Sequence, residues 1–241
     1  MEILALILAR GGSQRIPNKN IADLNGQPLI SYTINQAKQS KYINRIIVST
    51  NDKQIEDISK EYGAEVIQRP DDISGAESNE IDAFKYTLTY LFKHDKYIPD
   101  IIVKLFPTSP FRKVLSIDIC IDMMINDIHN SRKYDSIRSI RKCKEHPYKM
   151  WIINNNKLTH MIPIGIKPKE SHTFSYQKLP EIYINNASID ITTSQTVFDK
   201  NSITGDDIGV YEMDELESFD INTPLDLEIA NYLLRSGKVK I

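Results

Sequence analysis

The residues of this chain best suited to chemistry stand near its start. The string Leu6-Ile7-Leu8-Ala9-Arg10-Gly11-Gly12-Ser13-Gln14-Arg15-Ile16-Pro17-Asn18-Lys19-Asn20 sets cations around a pair of glycines. An apolar run at residues 3–9 leads into it and reads as a buried strand. A glycine turn after such a strand lets the backbone approach a ligand closely, and its N–H groups form a common cradle for phosphate. Arg10, Arg15 and Lys19 converge on this turn, so the expected ligand is an anion. The string lacks the Gly-Lys-Ser/Thr ending of a P-loop and the third glycine of a dinucleotide fingerprint. A plain glycine turn with solvated charges accounts for the same residues.

Further strings carry polar chemistry. In Leu105-Phe106-Pro107-Thr108-Ser109-Pro110-Phe111-Arg112, prolines bracket a Thr-Ser pair and make a rigid loop at a strand end. Arg112 could reach a carboxylate or phosphate from it, or the stretch could be a helix start punctuated by proline. In Ser218-Phe219-Asp220-Ile221-Asn222-Thr223-Pro224-Leu225-Asp226-Leu227, an extended backbone puts Asp220 and Asn222 on one face. Oxygen ligands so placed suit Mg²⁺, which takes a carboxylate or two, keeps waters and leans on substrate phosphates. An Asx-rich helix cap explains the same residues, and both readings can hold together.

The elements that must position these strings alternate. Strand patterns cover 3–9, 44–50, 64–68, 100–106 and 135–140, and helical patterns cover 29–40, 52–62, 79–94 and 115–127. Asp52 is the expected cap of the second helix and Gly63 its stop. Repeated β-α units predict a mainly parallel sheet with helices on both faces. Ligands of such sheets bind outside the carboxyl ends of strands, where residues 10–13, 50–52, 69–70 and 107–112 fall. The pattern loosens after Glu145. A hairpin about Asn154-Asn155-Asn156 is expected, then an irregular stretch over 164–179, a strand over 181–193, and a terminal helix over 223–234 capped by Thr223 with Pro224 in its first turn.

With 241 residues and a net charge of -2, the chain can bury a sizeable core and offers no footprint for nucleic acid or an anionic membrane. Cys120 and Cys143 make neither a metal spacing nor a disulfide framework. The start lacks the pattern of a signal peptide, and no apolar run is long enough to span a bilayer. A cytoplasmic location is expected. His94, His129, His146, His160 and His172 form no metal or triad spacing.

Taken together, these strings resemble the CMP-acylneuraminate synthetase family over nearly the whole chain. The N-terminal string is similar to that family's Ala-Arg-Gly-Gly-Ser, Ile-Pro and Lys-Asn signature, and Pro107-Thr108-Ser109-Pro110 is similar to its Gln-Pro-Thr-Ser-Pro-Leu-Arg. Val48-Ser49-Thr50-Asn51-Asp52, Tyr62-Gly63-Ala64-Glu65-Val66 and Arg69-Pro70 match further segments. The resemblance implies a three-layer α/β/α Rossmann-like nucleotidyltransferase core spanning 1–241 as a single domain, with 145–195 as a dimerisation and acceptor-site excursion. It implies a homodimer that transfers CMP from CTP to a nonulosonic, sialic-acid-like sugar acid for surface glycans, with Mg²⁺ as cofactor.

The resemblance also implies roles. Arg10, Lys19 and Asp220 would be catalytic. Ala9, Arg10, Gly11, Gly12, Ser13 and Lys19 would bind the nucleotide, Asn20 would read the cytosine edge, and Arg69 would orient the base or pair with a carboxylate. Phe106, Thr108, Ser109, Arg112, Tyr176, Gln177 and Asn186 would meet the acceptor, and Asp220 with Asn222 the metal. This chain departs from the family pattern at several positions. Phe106 stands for a glutamine that touches the sugar, Tyr176 for an arginine that holds the sugar's carboxylate, Ala187 for a glycine, Asn222 for a metal-binding aspartate and Asn51 for another aspartate. Alternatives are a related transferase using another NTP or a sugar-phosphate acceptor, and a non-catalytic nucleotide-binding homologue.

Overall fold

The apolar run that opens the chain forms β1 (Ile3–Leu8), and its side chains alternate between two cores. Ile3, Ala5 and Ile7 enter one core and Leu4 and Leu6 the other, as the two-residue period of a strand requires. The computed structural model describes residues 1–75, 77–130, 133–163 and 165–241. In chain order β1 is followed by β2 (Asp23–Leu24), β3 (Gln27–Pro28), α1 (Leu29–Gln39), β4 (Arg45–Thr50), α2 (Lys53–Glu61), β5 (Glu65–Gln68), α3 (Glu80–Asp95), β6 (Ile101–Leu105), α4 (Val114–Asn130) and β7 (Ser136–Lys142). Then come β8 (Trp151–Asn154), β9 (Lys157–His160), β10 (Tyr183–Thr193), α5 (Ser194–Asp199), β11 (Ile208–Glu212) and α6 (Pro224–Arg235).

Seven strands join one sheet in the order β11-β7-β10-β6-β1-β4-β5. β1 runs parallel to β4 and β6, β4 parallel to β5, and β11 parallel to β7, while β10 is antiparallel to β6. Ile34 of α1, Ile55 of α2 and Ile117 and Ile121 of α4 pack with Ile3 and Ile7. Phe84, Leu88 and Leu91 of α3 and Val197 of α5 pack with Leu4 and Leu6. The result is the three-layer α/β/α arrangement, with a mainly parallel sheet. Local signals end the helices where expected. Asp52 Oδ1 accepts from Gln54 N and Ile55 N at the start of α2, and Gly63, at φ +84°, ends it. Thr223 and Asp226 form a reciprocal capping box at the start of α6.

A third, smaller core serves the site directly. Ile16 of the cationic loop packs with Leu24, Leu29, Phe111, Ile221 and Ala230. Burying such a side chain is worth about 1.5–3 kcal/mol, and here it fixes the loop against the segment that carries Asp220 and Asn222.

The chain divides into two compact units, residues 1–140 with 186–241, and residues 141–185. The smaller unit covers 141–185, whereas the excursion is expected over 145–195. Ile189 and Ile191 are fully buried and paired with β6, so this part of β10 belongs to the core sheet. Within 141–185, β8 and β9 form the expected hairpin, and Asn155 and Asn156 at its turn both take positive φ. Lys149 Nζ donates to the carbonyls of His172 and Phe174, and the Trp151 and His160 rings stack at 4.2 Å. The expected irregular stretch starts at Ile164, which lies outside the described residues.

Candidate active site

Four segments of the larger unit meet around a cavity of about 490 Å³ at the carboxyl ends of β1 and β6, one of them contributing only Ala187 of β10. The loop after β1 supplies Arg10, Ser13, Arg15, Lys19 and Asn20. The loop after β6 supplies Phe106 and Thr108, and the approach to α6 supplies Asp220 and Asn222. Backbone bonds hold these segments together, with Ile221 N donating to Thr108 O at 2.9 Å.

Lys19, Asn222 and Asp220 form a continuous chain. Lys19 Nζ donates to Asn222 Oδ1 and to Ile221 O, each at 3.2 Å, and Asn222 Nδ2 donates to Asp220 Oδ2 at 2.5 Å. Burial lowers the Lys19 pKa, helped by Arg15 and Arg10 and opposed by Asp220. Burial raises the Asp220 pKa, against the opposing effects of Thr108, Asn222 and Lys19. Asp220 Oδ1 is buried and makes no hydrogen bond of standard geometry among the described residues. A lone carboxylate oxygen in a cationic cavity fits one edge of a hard divalent cation that also takes phosphate oxygens. Asn222 does not fit as its second ligand, because its carbonyl oxygen already faces the Lys19 ammonium. Among the described residues no cluster of three or more His, Cys, Asp or Glu could hold a metal ion alone.

The glycine pair has a steric basis. A Cβ on Gly11 would sit 2.8 Å from Asp52 Oδ2, and Gly12 holds φ +70°. The amide of Gly11, expected to cradle phosphate, instead donates to Asn51 Oδ1 at 3.0 Å, and Asn51 Nδ2 donates to Asp71 Oδ1. Ala9 is fully buried, with its N–H on Ser49 O. Asn20, expected at the cytosine edge, spends Nδ2 on Arg10 O at 3.0 Å and so braces the loop.

A second cavity of about 240 Å³ shares Leu8 and Arg10 with the first and is lined further by Arg69, Ser78, Asn79 and Glu80. Arg69 is buried there, with Nε on Ser74 Oγ. Its pKa is lowered by burial and then by Arg10, with Glu80 opposing.

The residues expected at the acceptor divide. Phe106 and Thr108 line the larger cavity. Arg112 is 1% exposed and points into the core, where it donates to Ser188 O at 2.7 Å, Gln36 Oε1 at 2.9 Å and Thr33 Oγ1 at 3.1 Å. Burial pushes its guanidinium down to about 9, against the nearby Glu217 carboxylate. Ser109 is fully buried and donates to Ala187 O, and Asn186 is buried among Ser139, Met213 and Ser218. These three brace the cavity wall from within and do not line it. Tyr176 and Gln177 are exposed residues of the 141–185 unit. Sequence reasoning missed Asn51 as the partner of the glycine loop, and Ser78, Asn79 and Glu80 at the second cavity. Asn51 lies at the carboxyl end of β4, among the residues 50–52 expected near a ligand, but its bond to Gly11 is not visible in the sequence. The other three read as an ordinary helix start.

A mainly parallel α/β core with a cationic glycine loop, a carboxylate and paired cavities at the strand ends is the class of site that takes a nucleotide. Comparison with known proteins narrows the class. Residues 4–233 match the model of the family described as "Cytidylyltransferase". A CMP-N,N'-diacetyllegionaminic acid synthase of Campylobacter jejuni is 31% identical over 97% of this chain and 95% of its own length. Post-translational flagellin modification protein B of Campylobacter coli is 28% identical over 99% of this chain and 97% of its own. The solved structure of a CMP:2-keto-3-deoxy-manno-octonic acid synthetase complexed with CTP superimposes with a TM-score of 0.67 at 14% identity, over 98% of this chain and 100% of that one, and supports the fold. The chain belongs to the cytidylyltransferase family and is an enzyme of that kind.

Proposed function

We propose that this enzyme transfers CMP from CTP to a nonulosonic sugar acid, releasing pyrophosphate, with Mg²⁺ as cofactor. The carrying observation is the larger cavity, where Arg10, Arg15 and Lys19 share one space with Asp220, whose Oδ1 makes no hydrogen bond of standard geometry among the described residues. Attack of a hydroxyl oxygen on the α-phosphate, with pyrophosphate leaving, asks for alignment and charge neutralisation. Arg10, Arg15 and Lys19 supply the neutralisation for the triphosphate and the departing pyrophosphate. Arg10 stands in both cavities, so the smaller one, with Arg69, Ser78 and Asn79, takes the base. The larger takes the phosphates and the acceptor. Asp220 would hold the Mg²⁺, which when bound supplies further positive charge to the triphosphate.

Phe106, Pro107 and Ala187 give the acceptor an apolar wall. The ring of Phe106 rests on the buried ammonium of Lys104 at 3.9 Å, and Lys104 is itself held by Glu80 at 2.6 Å. A sugar acid as acceptor is carried over from the relatives' names. The expected homodimer is supported by the apolar side chains that the 141–185 unit exposes, such as Ile153 at 74% and Leu158 at 62%. Light scattering should give twice the chain mass. No described helix is long and apolar enough to cross a membrane. The cytoplasm remains the proposed location, with Cys120 and Cys143 as free thiols.

The test is pyrophosphate release with Mg²⁺ across the four NTPs, nonulosonic and octulosonic acids, and sugar 1-phosphates. Release with CTP and one nonulosonic acid supports the proposal. Release only with a sugar phosphate overturns the acceptor, release only with another NTP overturns the base, and CTP binding without release to any acceptor favours the non-catalytic homologue.

A further inference from the structure

We infer that Asn222 is a positioning residue that limits Asp220 to a single free oxygen, so that the divalent cation enters together with the nucleotide and has no strong seat in the free enzyme. The inference rests on the CTP-dependent reading above and deepens it. The side-chain oxygens next to Lys19 are already engaged. Asn222 Oδ1 accepts from the Lys19 ammonium and Asp220 Oδ2 accepts from the Asn222 amide, while Asp220 Oδ1 makes no hydrogen bond of standard geometry among the described residues, with the Thr108 side chain beside the carboxyl group.

The amide cannot turn round without penalty. Exchanging its oxygen and nitrogen would set NH₂ against an ammonium and a carbonyl against a carboxylate. Its backbone is tied as well, because Asn222 N donates to Asp226 Oδ2 at 3.0 Å within the capping box of α6. One carboxylate oxygen falls short of the octahedral oxygen shell that Mg²⁺ demands. The remaining ligands must be water and the phosphates that Arg10, Arg15 and Lys19 attract. A carboxylate at 222 would change this. It would still accept from Lys19, but it would have no proton to give Asp220, and the two facing anions would favour a cation between them.

The experiment is a calorimetric titration of Mn²⁺ alone into the free wild-type protein, Asn222→Asp and Asn222→Ala, followed by titration of the Mn²⁺–CTP complex into the wild type. The wild type should bind free Mn²⁺ at least tenfold more weakly than Asn222→Asp, and Asn222→Ala should show no gain over the wild type. Melting curves check that the variants are folded, and the wild-type titration decides the matter alone if they are not, since saturation by micromolar free Mn²⁺ overturns the inference. Equal affinity in the wild type and Asn222→Asp overturns it too. Failure of the wild type to bind Mn²⁺–CTP is a different result. It removes the CTP-dependent reading, and the inference falls with it.

Discussion

Replacing Arg112 by Met should unfold this protein more readily and leave its chemistry alone. The guanidinium is sealed in the core and bridges α1, the loop after β6, and β10 through Thr33, Gln36, Phe106 and Ser188. Methionine fills part of the volume but donates nothing. Three acceptors with bonds of 2.7, 2.9 and 3.1 Å lose this donor in a place where water does not replace it, although Ser188 O still accepts from Phe106 N at 3.4 Å and Thr33 Oγ1 still donates to Phe106 O at 3.2 Å. Each unsatisfied buried acceptor costs about 1–3 kcal/mol. Removing a buried charge that has no ion pair among the described residues returns part of that sum. The net loss should be about 3–5 kcal/mol, a large share of the ~5–15 kcal/mol by which native proteins are stable. Urea unfolding should show a midpoint lower by about 1–2.5 M at an unchanged slope of ~2–3 kcal/mol/M. At low temperature the folded fraction should keep the wild-type KM for the sugar acid. An unchanged midpoint with a raised sugar-acid KM would refute the placement and return Arg112 to the acceptor.

Other outcomes follow from the cavity. Lys19→Ala should lower kcat for CTP-dependent pyrophosphate release by about 10²–10³, the loss typical of one electrostatic donor to a transition state, while circular dichroism stays unchanged. Burial lowers the Lys19 pKa, so the charged form is lost early as pH rises, and the alkaline limb of kcat/KM should fall below that of an ordinary lysine. Burial raises the Asp220 pKa, so its carboxylate is lost early as pH falls, and the acid limb should lie above that of an ordinary aspartate and vanish in Asp220→Asn with most of the activity. Phe106→Gln should change kcat/KM for sugar acids by about tenfold or more, as expected when an apolar wall gains hydrogen-bonding groups, with the KM for CTP unmoved in initial-rate assays.

Much of the fold is written locally in the chain. The apolar run of residues 3–9, the Asp52 cap, the Gly63 stop and the Thr223-Pro224 start each act over a turn or two, and each element stands where those signals place it. β11 was illegible for a physical reason. Its outward residues Ile208 and Val210 are apolar and exposed, and its buried residue is Gly209, packed against Ile137 and Tyr134, so the usual contrast of faces is reversed. The Asn25-Gly26 turn between β2 and β3, with both residues at positive φ, carries its hairpin signal in those two residues. At the site, composition identifies the cations of the first loop, because three of them near a glycine turn have few structural uses. It does not separate Arg112, which braces, from Arg10, which faces the cavity. Both are arginines beside strand ends, and only the tertiary packing decides which way each points. The Asn51 link between Gly11 and Asp71 joins three separate segments, so no window of sequence contains it.

The points where residues 141–185 leave and rejoin the core are fastened together inside the sheet. Ser139 Oγ lies 2.6 Å from Asn186 Oδ1 and accepts from Ile189 N at 2.8 Å. Closing a loop between ends already held side by side costs little more for a long insert than for a short one, about 0.6 kcal/mol for each doubling of length. Heritable change can therefore accumulate between those two points without any renegotiation of strand register. Residues 141–185 can be lengthened, shortened or rewritten at small entropic cost while the strand register of the core sheet is kept.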